Sequence, residues 1–295
     1  MELNHGSPGF WPADKVLLTY LAFTGAIEII WFSSIPGASF LLALHVVGAA
    51  LIGAAARAAN PNLIVRIFRH WYPLLFVACC YREMSILIPA IRNARADQAL
   101  ADIDHAFWGV DPTVWLERIY SPFLTESLQI IYTLFLPVAL LVPVLIWLKK
   151  RYSDFRYVAF LLALGFLVSY IGYLIVPARG PRFLLAGLQH KPLQGLWLFH
   201  IMQSLLDSLE RAHYDCFPSG HVELTVLACW SSRLVSRAMF RVYFLYTLLI
   251  IFATVYLRYH YTVDLLAGVM VAVALILTAP AVYRRLSEKG DSIGD

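Results

Sequence analysis

The chain has 295 residues, of which 60% are hydrophobic and 14% charged, where soluble domains run at roughly 45–50% and about 25%. Mean hydropathy is +0.68 and the formal net charge is +4. These values exclude a disordered chain, a coiled coil and a soluble nucleic-acid binder, because a small, scattered positive charge makes no basic patch.

The composition points to an all-α, polytopic integral-membrane bundle. Eight apolar runs follow in order, at 15–33, 38–56, 70–91, 122–148, 155–177, 220–238, 241–259 and 261–283. About 20 apolar residues cross the hydrocarbon layer as a helix, and each run is near that length. The run 220–238 is the weakest, since it carries Glu223 and Arg233. Residues 1–69 read as an N-terminal two-helix segment, 70–283 as a six-helix catalytic core and 284–295 as a tail. Met1–Asp14 has little positive charge and no small-residue cleavage site, so no cleaved signal peptide is expected.

With eight spans both termini share a side, and that side collects fourteen Lys and Arg residues against eight on the other, with Arg82 inside a span. The positive-inside rule places the termini in the cytoplasm and the connections 92–121 and 178–219 outside. Cys79, Cys80 and Cys229 fall within spans and Cys216 lies alone outside, so no intrachain disulfide is expected. In the second connection, polar residues of 196–211 recur at helical spacing, as in an amphipathic interfacial helix that is either a packed loop helix or a lid.

Three short segments concentrate the chemistry: Val176-Pro-Ala-Arg-Gly-Pro-Arg-Phe183, Cys216-Phe-Pro-Ser-Gly-His221 and Arg258-Tyr-His-Tyr-Thr-Val-Asp264. The order of the spans brings all three to one membrane face. His260 and Asp264, four apart, share a face if they are helical. A carboxylate there orients the imidazole and leaves Nε2 as a nucleophile, and His221 suits a general acid. Ser219 and the amides at Gly220 offer donors to anionic oxygens, and Arg179, Arg182 and Arg258 offer positive charge. Each piece also has a plainer reading: Ser219 as a helix cap, the arginines as headgroup anchors, the histidines as hydrogen-bonding partners. A metal on His221, His260 and Asp264 lacks a fourth protein ligand, so no metal and no cofactor are expected.

Over Tyr170–Val273 the chain resembles the type 2 phosphatidic acid phosphatase superfamily, whose signature is K-x6-R-P, then P-S-G-H, then S-R-x5-H-x3-D. Pro218-Ser219-Gly220-His221 matches the second motif in full, and His260 and Asp264 match the end of the third. The resemblance implies a six-helix core, His260 as nucleophile, Asp264 as its orienting group, His221 as acid, and no metal. Ala253-Thr254 stands in place of S-R, and Arg179-Gly-Pro-Arg182 in place of R-P, with no lysine before it. These departures look like the inositolphosphotransferase and sphingomyelin synthase branch, whose third motif reads H-Y-x-x-D. Trp71-Tyr-Pro73 and Tyr81-Arg-Glu83 resemble bacterial members of the inositolphosphotransferase-like group.

The expected function is therefore transfer of a phosphoryl group or phospho-headgroup on a membrane lipid at the extracytoplasmic face. The lipid is a phospholipid, a lipid phosphate or a ceramide-like acceptor, and no nucleic acid takes part. A lipid phosphate phosphatase is the alternative. A transporter, with Glu28, Arg82 and Glu83 along its pathway, is the rival from another class, but the polar residues gather at one face instead of along several spans. Arg82, Glu83, Glu126 and Tyr132 are ambiguous between structural and pocket-lining roles.

Overall fold

The computed structural model describes residues 9–58, 62–92, 95–209 and 214–287. Among these the chain is helical: α1 (Pro12–Ile30), α2 (Ala38–Arg57), α3 (Leu63–Ile91), α4 (Asp97–Trp108), α5 (Pro112–Trp115), α6 (Pro122–Thr133), α7 (Phe135–Leu148), α8 (Tyr152–Ile175), α9 (Pro181–Leu184), α10 (Phe199–Leu209), α11 (Gly220–Ser232), α12 (Arg237–Tyr256) and α13 (Thr262–Leu286). The β-structure among the described residues is one isolated bridge, Ala178 with Asp215.

Five helices, α2, α3, α8, α12 and α13, are long and apolar enough to cross a membrane, and α6 with α7 makes a sixth span bent by 43°. This is an all-α integral-membrane bundle, and two of the eight expected spans fall outside this set. Helix α1 holds Asp14, Lys15 and Glu28. Asp14 is fully buried and accepts from the Trp11 amide at 2.8 Å, from Arg69 at 3.1 Å and from the Tyr72 hydroxyl; Lys15 Nζ donates to the Leu286 carbonyl at 2.7 Å. Asp14 and Lys15 are thus paired inside the protein, which lets an otherwise apolar helix keep them.

The run 220–238 is divided between two helices. Helix α11 stops at Ser232, and Arg237 already belongs to α12. Its 13 residues reach only about 20 Å at ~1.5 Å per residue, short of a ~30 Å hydrocarbon core. Helix α11 is instead the buried centre of the bundle, where its Leu224, Leu227 and Ala228 pack with Val158, Leu161 and Leu162 of α8 and Ala272 of α13.

The bend between α6 and α7 has a local cause. Pro137 has no amide hydrogen to give the Thr133 carbonyl, and its ring clashes there, so α6 closes at Thr133 and α7 restarts at Phe135. The connections are more structured than expected. Helix α4 was not foreseen in 92–121. The amphipathic segment forms α10 over Phe199–Leu209, whereas residues 210 and 211 of the expected helix lie outside the described residues, as do 288–295 of the expected tail. Glu126, ambiguous from sequence, caps α10: its carboxylate accepts from the amides of Leu196 at 2.9 Å, Trp197 at 3.4 Å, Leu198 at 2.6 Å and Phe199 at 3.0 Å. Arg82 is exposed and Glu83 buried, so these neighbours point away from one another.

Candidate active site

Three segments meet at one end of the bundle, where α8 closes and α11 and α13 begin. The Arg182 amide donates to the Arg258 carbonyl at 3.1 Å, the Cys216 amide to Ala178 at 3.2 Å and the Ser219 amide to the Asp264 carbonyl at 3.0 Å. Gly180 makes the approach possible. Its φ is +97°, and a Cβ there would stand 2.5 Å from the Tyr259 carbonyl oxygen, so any side chain drives the first and third segments apart. Helix α4 binds the segments together. Asp97 accepts from the amides of Arg179 at 3.0 Å and Gly180 at 2.8 Å and from the Tyr261 hydroxyl at 3.2 Å. Asp104 caps α13, accepting from the Thr262 amide at 2.7 Å, the Thr262 hydroxyl at 2.7 Å and the Val263 amide at 2.9 Å.

The pocket between them is lined by Tyr132, Arg179, Arg182, Phe183, Asp215, Cys216, His221, Tyr259 and His260. His260 is buried, and its Nδ1 lies 2.9 Å from the Cys216 carbonyl oxygen and 3.5 Å from Asp264 Oδ2. An acceptor at that distance requires the proton on Nδ1, so neutral His260 keeps its lone pair on Nε2. His221 stands with its ring 5.8 Å from that of His260. Tyr132 stacks on it at 4.4 Å and Phe135 meets it at 4.1 Å; these two aromatics flank the α6–α7 bend.

Asp264 approaches His260 by a route other than the expected one. His260 precedes α13, so the pair shares no helical face. Asp264 is the third residue of that helix and folds back to accept the Tyr261 amide at 2.9 Å, a capping contact that carries its carboxylate to the imidazole. Cys216, given no role from sequence, donates its thiol proton to Asp264 Oδ2 at 2.8 Å. Burial, and then the Asp264 charge, push this thiol well above the usual range, so it stays a neutral donor.

The arginines divide. The guanidinium carbons of Arg179 and Arg182 lie 4.1 and 4.7 Å from the Phe183 ring centroid, and that of Arg182 lies 5.2 Å from that of Tyr259. The aromatic faces hold two like charges at the pocket wall. Arg182 also pairs with Asp207 of α10 at 2.9 Å. Burial pulls its pKa down, but the Asp207 carboxylate together with Tyr259 and Tyr132 more than offsets this, leaving it above the ordinary value.

Three of the expected phosphate-binding residues, Arg258, Ser219 and Gly220, do not line this pocket. Arg258 is turned from the pocket at φ +65° and donates to Glu117 at 2.9 Å, Gln189 at 3.1 Å and the Lys191 carbonyl at 2.6 Å, fixing the loop before α10. Burial lowers its pKa. The Ser219 hydroxyl caps α11 by accepting from the Val222 amide at 3.4 Å. Gly220 lets α11 approach α8, since a Cβ there would lie 2.3 Å from the Tyr173 hydroxyl. Conversely, Asp215, Phe183 and Tyr259 line the pocket; Phe183 and Tyr259 fall within the first and third segments without an assigned role, and Asp215 adjoins the second. Asp215 accepts from the Tyr81 hydroxyl at 2.6 Å, which ties α3 to the site.

The sequence pattern of the PAP2 superfamily matches residues 98–278, well over half of the chain. A PA-phosphatase related-family protein of Dictyostelium discoideum is 34% identical over 107 residues, which cover 35% of this chain and 19% of that protein. The match thus spans about a fifth of the curated relative's length. No solved structure matches. The matched region contains His221, His260, Asp264 and Cys216, and the chain belongs to the PAP2 superfamily.

Proposed function

We propose that this membrane protein transfers a phosphoryl group or phospho-headgroup from a lipid through a phosphohistidine at Nε2 of His260. The observation that carries the reading is the pinning of His260 Nδ1 by the Cys216 carbonyl at 2.9 Å with Asp264 at 3.5 Å behind it, beside a pocket walled by two arginines. Nε2 attacks phosphorus while Arg179 and Arg182 stabilise the charge on the non-bridging oxygens. His221 protonates the departing alkoxide, and Asp264 stabilises the imidazolium that forms in its neighbour. Water or a lipid hydroxyl then attacks the phosphohistidine, with His221 as base. The weighting of Lys and Arg supports an extracytoplasmic site, and the motif departures noted above support a transferase of the inositolphosphotransferase or sphingomyelin synthase kind, with lipid phosphate hydrolysis as the second reading.

The test is capture of the intermediate. Purified protein quenched after mixing with a lipid carrying labelled phosphate is expected to hold an acid-labile, base-stable label. His260→Ala abolishes it, whereas His221→Ala lets it form slowly. Turnover by His260→Ala at the parental rate contradicts the reading.

A further inference from the structure

A second cluster of ionisable side chains lies among α1, α2 and α3, apart from the phosphoryl pocket. Glu28 of α1, His45 of α2 and Glu83 of α3 each offer a donor atom within 4.8 Å of the others. Glu28 is fully buried and Glu83 is 7% exposed. His45 Nδ1 stands 3.5 Å from Glu28 Oε2, and His45 Nε2 stands 3.5 Å from Glu83 Oε1. Among the described residues, His45 is the basic group within ion-pair distance of these carboxylates. We propose that Glu28, His45 and Glu83 bind one divalent transition-metal ion of the zinc class inside the membrane, with water as the fourth ligand.

Four observations carry this. First, neither carboxylate oxygen of Glu28, nor Oε1 of Glu83, takes part in a hydrogen bond, although buried carboxylate oxygens almost always do. Second, the spacing is that of ligands around an ion. Partners in a hydrogen bond approach to 2.7–3.0 Å, whereas ligands at ~2.1 Å around a tetrahedral ion stand about 3.4 Å apart, close to the 3.5 Å between His45 Nε2 and Glu83 Oε1, with the Glu28 carboxylate as the third donor within 4.8 Å. Third, the imidazole is prepared as a ligand. Its Nδ1 lies 2.8 Å from the Leu41 carbonyl, which fixes the proton there and leaves Nε2 to coordinate, the outer-shell arrangement typical of metal-bound histidine. The Thr24 hydroxyl, 2.8 Å from Nε2, has the Tyr20 carbonyl at 3.2 Å as another acceptor and so can yield Nε2 to the ion. Fourth, the charges balance: two carboxylates and a neutral imidazole around a divalent ion sum to zero, and an uncompensated charge at this depth is costly. Nitrogen and carboxylate donors without sulfur suit Zn²⁺ or Co²⁺ over Ca²⁺ and Mg²⁺, which prefer all-oxygen sets. The ion would pin α1 and α2 to α3.

Cobalt(II) reports both binding and geometry. The purified full chain in detergent, stripped with chelator and titrated with Co²⁺, is expected to bind one equivalent with the intense visible bands of a tetrahedral ion, and Zn²⁺ is expected to displace them. His45→Ala and Glu28→Gln, checked for unchanged helicity, lose the bands; His260→Ala, which disables the proposed catalytic site, keeps them. The wild-type titration needs no variant. Absence of a saturable visible spectrum overturns the proposal. So does a thiolate-to-cobalt band in the near ultraviolet that disappears in His260→Ala, because it puts the metal on Cys216, His260 and Asp264. Bands that persist in His45→Ala overturn it as well.

Discussion

At the residue scale, the site turns on which groups hold the two imidazoles. His221 is clasped between Tyr132 and Phe135, so its orientation is settled before substrate arrives, and its proposed work is delivery of a proton to the leaving oxygen. Proton transfer of this kind contributes ~10²–10⁴-fold. His221→Ala is therefore expected to slow release of an alkoxide by about that factor, and to cost far less when the leaving group is a nitrophenolate that departs without a proton. Rates across a series of leaving groups measure this; an equal loss at every leaving-group pKa contradicts the acid role. Cys216 yields a second expectation. Its raised pKa keeps the proton on sulfur at neutral and mildly alkaline pH, and the thiolate is the reactive form. Maleimide is thus expected to leave Cys216 unlabelled in folded protein at pH 8 while labelling it in denaturant, as mass spectrometry of the peptide would read. The histidines and Asp264 were legible because motif and spacing mark them. The thiol was not, since it meets Asp264 from 48 positions away, and no local period encodes such a contact. Arg258 shows the converse: a cation two residues from the nucleophile looks like a phosphate ligand until Glu117 is seen to hold it.

At the element scale, α10 covers the site and is held at three points. Glu126 caps its start, Phe199 and Leu206 pack in one cluster with Tyr132 and Tyr259, and Asp207 pairs with Arg182. The amphipathic period of 196–211 was readable, but the anchor was not, because Glu126 lies about 70 positions upstream. Helix α4 escaped notice for a different reason. Its buried face contains Asp97 and Asp104 beside Leu100 and Ala101, whereas Ile103 and Phe107 are exposed, so a search for an apolar buried stripe runs against its pattern. The α10 contacts differ in strength. Asp207 is partly exposed, and ion pairs of that kind are worth about 0–1 kcal/mol. Asp207→Asn is expected to free Arg182 and lower KM for a lipid phosphate by up to about fivefold, with kcat little changed. Glu126→Gln removes a charge from four amide donors and loosens the start of α10, so water reaches the intermediate more readily and the ratio of hydrolysis to transfer rises. Product ratios from one reaction with and without an acceptor lipid measure both; an unchanged ratio in Glu126→Gln contradicts the covering role.

At the scale of the whole molecule, the bundle has two unlike ends. At one, cations meet helix termini: Lys15 reaches the Leu286 carbonyl at 2.7 Å and Lys149 the Val235 carbonyl at 3.0 Å, which complements the negative ends of helix dipoles. At the other lies the phosphoryl pocket under α10. Around the body, Phe40, Leu51, Val242, Leu245, Leu266 and Leu277 are exposed, as lipid-facing residues are. The overlying segment shares this character, because Trp197, Ile201 and Leu205 point outward and rest naturally in the bilayer interface. The second substrate to reach the proposed phosphohistidine is then drawn from an environment rich in lipid hydroxyls and poor in water. Exclusion of water protects a reactive intermediate, and a phosphodiester, with less charge than a monoester dianion, asks less of a pocket in which Arg179 and Arg182 face Asp215. Against this stands the size of water, which a narrow cover admits more easily than any lipid. The two outcomes separate cleanly in detergent. Given a labelled phospholipid with ceramide or diacylglycerol, the protein is expected to form a new labelled phospholipid while release of free phosphate or free headgroup phosphate slows, because both acceptors compete for one intermediate. If release runs equally fast with and without the hydroxyl lipid and no new phospholipid forms, water is the acceptor and the chain is a phosphatase.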